Sequence, residues 1–123
     1  MKPDWERLKS LTLREIEATL AELPPPLREQ AQSLPITLER LPNIELQSDG
    51  IDAESLGLFS GAEFADDGGT VLPAHIMLFI GNLWNYAGND EEIFRDEIRT
   101  TFLHELGHFF GLDEDDLMER GLE

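Results

Sequence analysis

The chain contains no cysteine, which removes disulfide bridges, thiolate metal sites and cysteine nucleophiles together. Basic residues are scarce: nine Lys and Arg stand against 26 Asp and Glu, for a formal net charge of −17. A surface that acidic repels phosphate backbones, and nucleic-acid binding would need a local basic patch. The basic residues are scattered instead, so no nucleic-acid partner is expected. Long apolar runs are missing too. None approaches the roughly 18 residues that a membrane span needs, and the start Met1-Lys2-Pro3-Asp4-Trp5-Glu6-Arg7 lacks the apolar centre of a secretory signal. The expectation is a cytoplasmic protein with no membrane partner. At 123 residues the chain is read as one domain, 1–123, with 1–11 as a loosely ordered N-terminal extension.

What is present is patterned. Pro3 is compatible with a helix start, but a firmer one stands at Thr12, with Glu15 three residues on in capping-box spacing. Leu13, Ile16, Leu20 and Leu23 follow as an apolar stripe at helical period, ended by Pro24-Pro25-Pro26. A short helical turn fits Leu27 to Leu34. From Pro35 the period changes to two, with Ile36 and Leu38 on one face of a half-buried strand. Pro42 marks its edge or end, and Ile44-Glu45-Leu46 extends it or leads into the loop Gln47–Gly50. Leu56–Gly61 reads as a second short strand. The turn signal Asp66-Asp67-Gly68-Gly69 suits a connection between antiparallel strands; the spacing of a calcium loop is absent there. Ile76–Ile80 is the most apolar run and reads as a buried central strand, with His75 at its start in a structural hydrogen bond. Asn82–Asn89 is read as a loop carrying Trp84 and Tyr86. A long helix should then run from an Asn89 cap to Phe110 and stop at Gly111. Asp115 to Glu123 should form a short acidic helix, with Leu117 and Met118 packing inwards. The fold class is α+β.

The long helix carries the chemistry. His104-Glu105-Leu106-Gly107-His108 places two imidazoles one helical turn apart, within reach of one metal ion. Glu105 lies about a hundred degrees round the helix from His104, where it can touch water held by that metal. Helical phase puts Phe94, Ile98, Phe102, Leu103, Leu106, Phe109 and Phe110 in an apolar arc, and Glu97, Thr101, His104 and His108 opposite. The histidines therefore fall outside the core face. A catalytic zinc needs three protein ligands and an open position. Gly111 permits the chain to turn back, and Glu114 follows His108 by six residues. That is the H-E-x-x-H-x-x-G-x-x-ligand spacing of metzincin-like sites, with a carboxylate in the last place. Asp113, Asp115 and Asp116 are alternatives for the third ligand. Met118 follows the site too closely to act as a Met-turn and is assigned to packing.

The stretch Leu103–Leu117, LHELGHFFGLDEDDL, resembles the small bacterial zincin-like family, possible zinc metallopeptidases also described as minimal metalloproteases. The upstream segments fit, so the resemblance spans roughly residues 12 to 119. It implies a compact single-domain zincin-like fold with an N-terminal helix, a small mixed sheet, the HExxH helix and a short C-terminal helix. It also implies zinc held by His104 and His108. Members of that family usually carry Asp at the position of Glu114. On this reading the protein is a zinc metallopeptidase acting on a peptide or protein substrate. Glu105 is its general base and His104, His108 and Glu114 are its metal ligands. Two rivals are a zinc-binding interaction module without turnover and a zinc hydrolase of RNA; the −17 charge weighs against the second.

Overall fold

The computed structural model describes residues 3–60 and 74–111. The turn expected at Asp66–Gly69 and the tail helix expected from Asp115 lie outside the described residues.

The first helix, α1 (Trp5–Glu22), starts earlier than its sequence suggests. Asp4 caps it by accepting the backbone N–H of Arg7 at 3.2 Å. Thr12 is an interior residue, not a cap: it is buried and donates its hydroxyl to Leu8 O at 2.7 Å. Thr19 does the same to Glu15 O at 2.7 Å. A threonine that bonds the carbonyl four residues back can sit inside a helix at little cost. The buried stripe is therefore Leu8, Thr12, Ile16 and Thr19, while Leu13 is 53% exposed. Residues 5–11 accordingly belong to the domain, with Leu8 in its core, and are no loose extension. Leu23, ahead of the three prolines, is extended and ends the helix. The short α2 (Pro25–Gln32) follows, with proline at its start, where a missing N–H costs nothing.

Among the described residues three strands form one sheet in the order β1-β3-β2. β1 (Ile36–Glu39) pairs parallel with β3 (His75–Phe79), and β2 (Gly57–Ser60) pairs antiparallel with β3 on the other side. The apolar run is thus the central strand. Register aligns Ile36, Ile76 and Phe59 in one cross-strand row and Leu38, Leu78 and Gly57 in the next. Ile76 and Leu78 are wholly buried and join Phe94, Ile98, Phe102 and Leu106 in the core, whereas Met77 between them is only half-buried.

Two segments depart from the sequence reading. Ile44–Ser48 is a helical turn, α3, capped by Asn43, instead of a strand extension or a lead-in to a loop. Where a loop is expected at Asn82–Asn89, the chain forms the helix α4 (Ile80–Tyr86), which also takes Ile80 from the end of the expected strand. Its apolar residues Ile80, Leu83 and Ala87 are buried at spacings of three and four, a helical period that the preceding strand run masks. Asn82 on α4 is buried and donates to Ala53 O at 2.8 Å and Ser55 O at 2.9 Å, pinning the segment that leads into β2.

The last described element, α5 (Glu91–Phe109), is capped by Asp90, whose side chain accepts from Ile93 N; Asn89 instead takes the left-handed conformation just before it. Gly111 has φ of 73° after the helix end, the left-handed stop that the sequence predicts. α1 and α5 run side by side in the same direction. Along this seam Arg7 pairs with Glu91, Glu15 with Arg95 and Glu22 with Arg99, at 2.7, 2.7 and 2.5 Å. These pairs are exposed on at least one side and set the alignment more than the stability.

Candidate metal centre

The registration of α5 against β2 builds the site. Thr101 lies over Gly57, close enough that a methyl group on Gly57 would meet Thr101 Cγ2 at 2.7 Å. Four residues along the helix, Glu105 accepts a hydrogen bond from the backbone N–H of Phe59, two residues along the strand. Four helical residues rise about 6.0 Å and two strand residues about 6.8 Å, so the two elements stay in step. Phe59 also packs its ring against Phe109 at 6.1 Å. The C-terminal half of α5 is thus fixed to β2 at three successive turns.

On this half of α5 the two motif histidines come together. His104 Nε2 and His108 Nε2 are 3.3 Å apart, and the rings stand nearly perpendicular, with centroids at 4.8 Å. His104 is half-buried and His108 exposed, so the pair opens to solvent. Two nitrogens bound to one tetrahedral zinc at about 2.0–2.1 Å must themselves lie about 3.3–3.4 Å apart. The observed separation fits that requirement without any movement of the helix. Phe109 and Phe110, next in the chain, lie with their rings 5.4 Å apart.

Glu105 is 8% exposed. Burial pushes its carboxyl above the ordinary glutamate range, while the neighbouring His104 and His108 and the Phe59 N–H pull the other way. A carboxylate held near the imidazole pair, with its pKa raised by burial, has the character of a group that takes up and returns a proton.

Among the described residues no third histidine or acid joins the pair. Glu114, Asp113, Asp115 and Asp116 lie outside them. His75 stands at the start of β3 and its Nε2 is 2.6 Å from Thr37 Oγ1 on β1, the structural hydrogen bond expected for it. The residues that sequence reasoning missed are Gly57, Thr101 and the backbone of Phe59. A glycine inside a short strand is a sign of close backbone approach, but nothing in the sequence says what approaches.

No curated protein matches the chain. The profile of the family of zincin-like metallopeptidases matches residues 31–122, from the end of α2 through the histidine motif into the C-terminal acids. With the two imidazoles converging as they do, and three quarters of the sequence matched, the chain belongs to the zincin-like metallopeptidase family.

Proposed function

We propose that this protein is a zinc-dependent peptidase that hydrolyses peptide bonds at the His104–His108 site. The observation that carries the reading is the 3.3 Å separation of the two Nε2 atoms beside a buried glutamate with a raised pKa. His104, His108 and Glu114 are assigned as the ligands. Zinc bound there supplies a Lewis acid and lowers the pKa of coordinated water. The chain's own part is to hold Glu105 where it takes a proton from water and passes it to the leaving amine. The Phe59 N–H fixes the orientation of that carboxylate.

The sheet supports one way of presenting a peptide. β3 is paired on both sides, so its edges are used, whereas among the described residues β2 has no partner on its outer edge. Leu56 O accepts from Phe79 N at 2.9 Å, and by the alternation of antiparallel pairing Gly57 and Phe59 turn their backbone groups away from β3. Phe59 spends its N–H on Glu105. An extended peptide can then add to Gly57 N–H, Gly57 C=O and Phe59 C=O as a further strand, placed beside α5 and its histidines.

The test is cleavage of a peptide library by zinc-loaded protein and by Glu105→Gln. The substitution should leave zinc content unchanged and lower turnover by about 10²–10⁴. Equal cleavage by both proteins would sink the assignment, and zinc retention with no cleavage by either would favour a binding module on a zincin fold.

A further inference from the structure

At the far end of α5 from the histidines, where β1 runs out and α4 begins, a cavity of about 450 Å³ opens to the surface. Its walls are Trp5, Arg40, Leu41, Trp84, Asn85 and Asn89. Among the described residues the lining holds one cation and no acid, in a chain with 26 acidic residues. Arg7, Lys9, Arg95 and Arg99 are paired with glutamates. Arg40 has no carboxylate partner among the described residues; its guanidinium lies over the Trp5 ring at 4.3 Å. Stacking on an aromatic face leaves the N–H edge of an arginine free for a bidentate carboxylate.

The walls are set in advance. Gly81 N–H donates to Arg40 O at 2.9 Å, and a methyl group on Gly81 would meet that oxygen at 2.6 Å, so β1 and α4 meet flush. Trp84 is held edge-on against Phe94 at 5.4 Å. Asn89 keeps a φ of 63°, with its N–H on Trp84 O at 3.1 Å. An α-amino group would find no counter-ion in this lining, whereas the amide oxygens of Asn85 and Asn89 can accept a peptide N–H.

We infer that this cavity binds the C-terminal residue of a peptide, with the carboxylate on Arg40 and a large apolar side chain between Trp5 and Trp84. The site is separate from the histidine centre and does not depend on zinc or on turnover. Trp5 and Trp84 are the two tryptophans of the chain, so intrinsic fluorescence reports on it directly.

The experiment titrates the full chain, without added metal, with N-acetyl-Gly-Gly-Leu bearing a free carboxylate, with its C-terminal amide, and with free leucine. The acid should bind saturably and perturb the tryptophan emission. The amide should bind roughly tenfold more weakly or worse, as loss of a charge-assisted pair requires. Arg40→Gln should show the same loss for the acid and Arg40→Lys a partial one. Equal binding of acid and amide, no saturable binding by the wild type, or free leucine binding as tightly as the acetylated acid would overturn the inference. If Arg40→Gln fails to fold, the acid–amide comparison on the wild type decides alone.

Discussion

Gly57 and Thr101 are packed so closely that a methyl group on the glycine would lie 2.7 Å from Thr101 Cγ2. This contact seats β2 on α5 one turn before Glu105, and the Phe59 N–H that orients Glu105 depends on it. Gly57→Ala should destabilise the protein by about 1–3 kcal/mol, the usual range for overpacking. Thr101→Ser removes the obstructing methyl group, so the double variant should recover much of that loss. Thermal unfolding of the four proteins in a cycle measures the coupling; additive losses would mean that the contact is not the cause.

Zinc should stabilise the protein, because the two imidazoles are preset for it. At a free zinc concentration about 100 times Kd the gain is about 2.7 kcal/mol, read as a rise in Tm. His104→Ala and His108→Ala should each abolish that rise and weaken zinc binding by more than about 100-fold, above the usual effect of losing a group that merely supports a ligand. Competition with a chromophoric chelator gives the affinities. The same assay on Glu114→Ala and Asp113→Ala assigns the third ligand: the larger loss names it.

The metal-free protein should show a pH signature of Glu105. Its carboxyl is pushed above the ordinary range by burial, so the folded state binds a proton more tightly than the unfolded state does. That contribution to stability is fully present below the ordinary glutamate pKa and is lost as pH rises through the raised value. Relative to Glu105→Gln, the wild type should therefore lose stability as pH climbs from about 4 towards neutrality. Denaturant melts of both proteins across that range check the sign, and parallel curves would contradict it.

Asn82 ties α4 to the segment leading into β2 through two donated hydrogen bonds, to Ala53 O and Ser55 O. Asn82→Ala should cost about 1–3 kcal/mol by leaving those carbonyls unsatisfied. Asn82→Asp should cost more at neutral pH, since it sets a carboxylate against the same two oxygens, and should recover when acidified. Urea unfolding at two pH values separates the two effects.

Much of the site and part of the fold were legible in the sequence, for separable reasons. His104, Glu105 and His108 lie within one turn and a half of a single helix, so helical geometry alone relates them and the pattern could be read directly. The same holds for the stop at Gly111 and for the central strand, whose apolar run has no competing period. The errors fell where a local signal had two meanings. Thr12 looked like a cap because hydroxyls cap helices, yet its hydroxyl bonds Leu8 O inside α1. Asn82–Asn89 looked like a loop because the helix that fills most of it begins at Ile80, inside the strand's own apolar run.

What the sequence by itself determined is the chemistry of the histidine pair and the family to which it belongs, because those depend on residue types at short separations along one helix. Only the tertiary structure decided which strand borders that pair, that Gly57 must be a glycine because Thr101 sits over it, and that the Phe59 backbone orients Glu105. Those relations join residues about 45 positions apart, across a register between helix and strand that no local pattern encodes; it is set by the packing of α5 and β2 on a shared core.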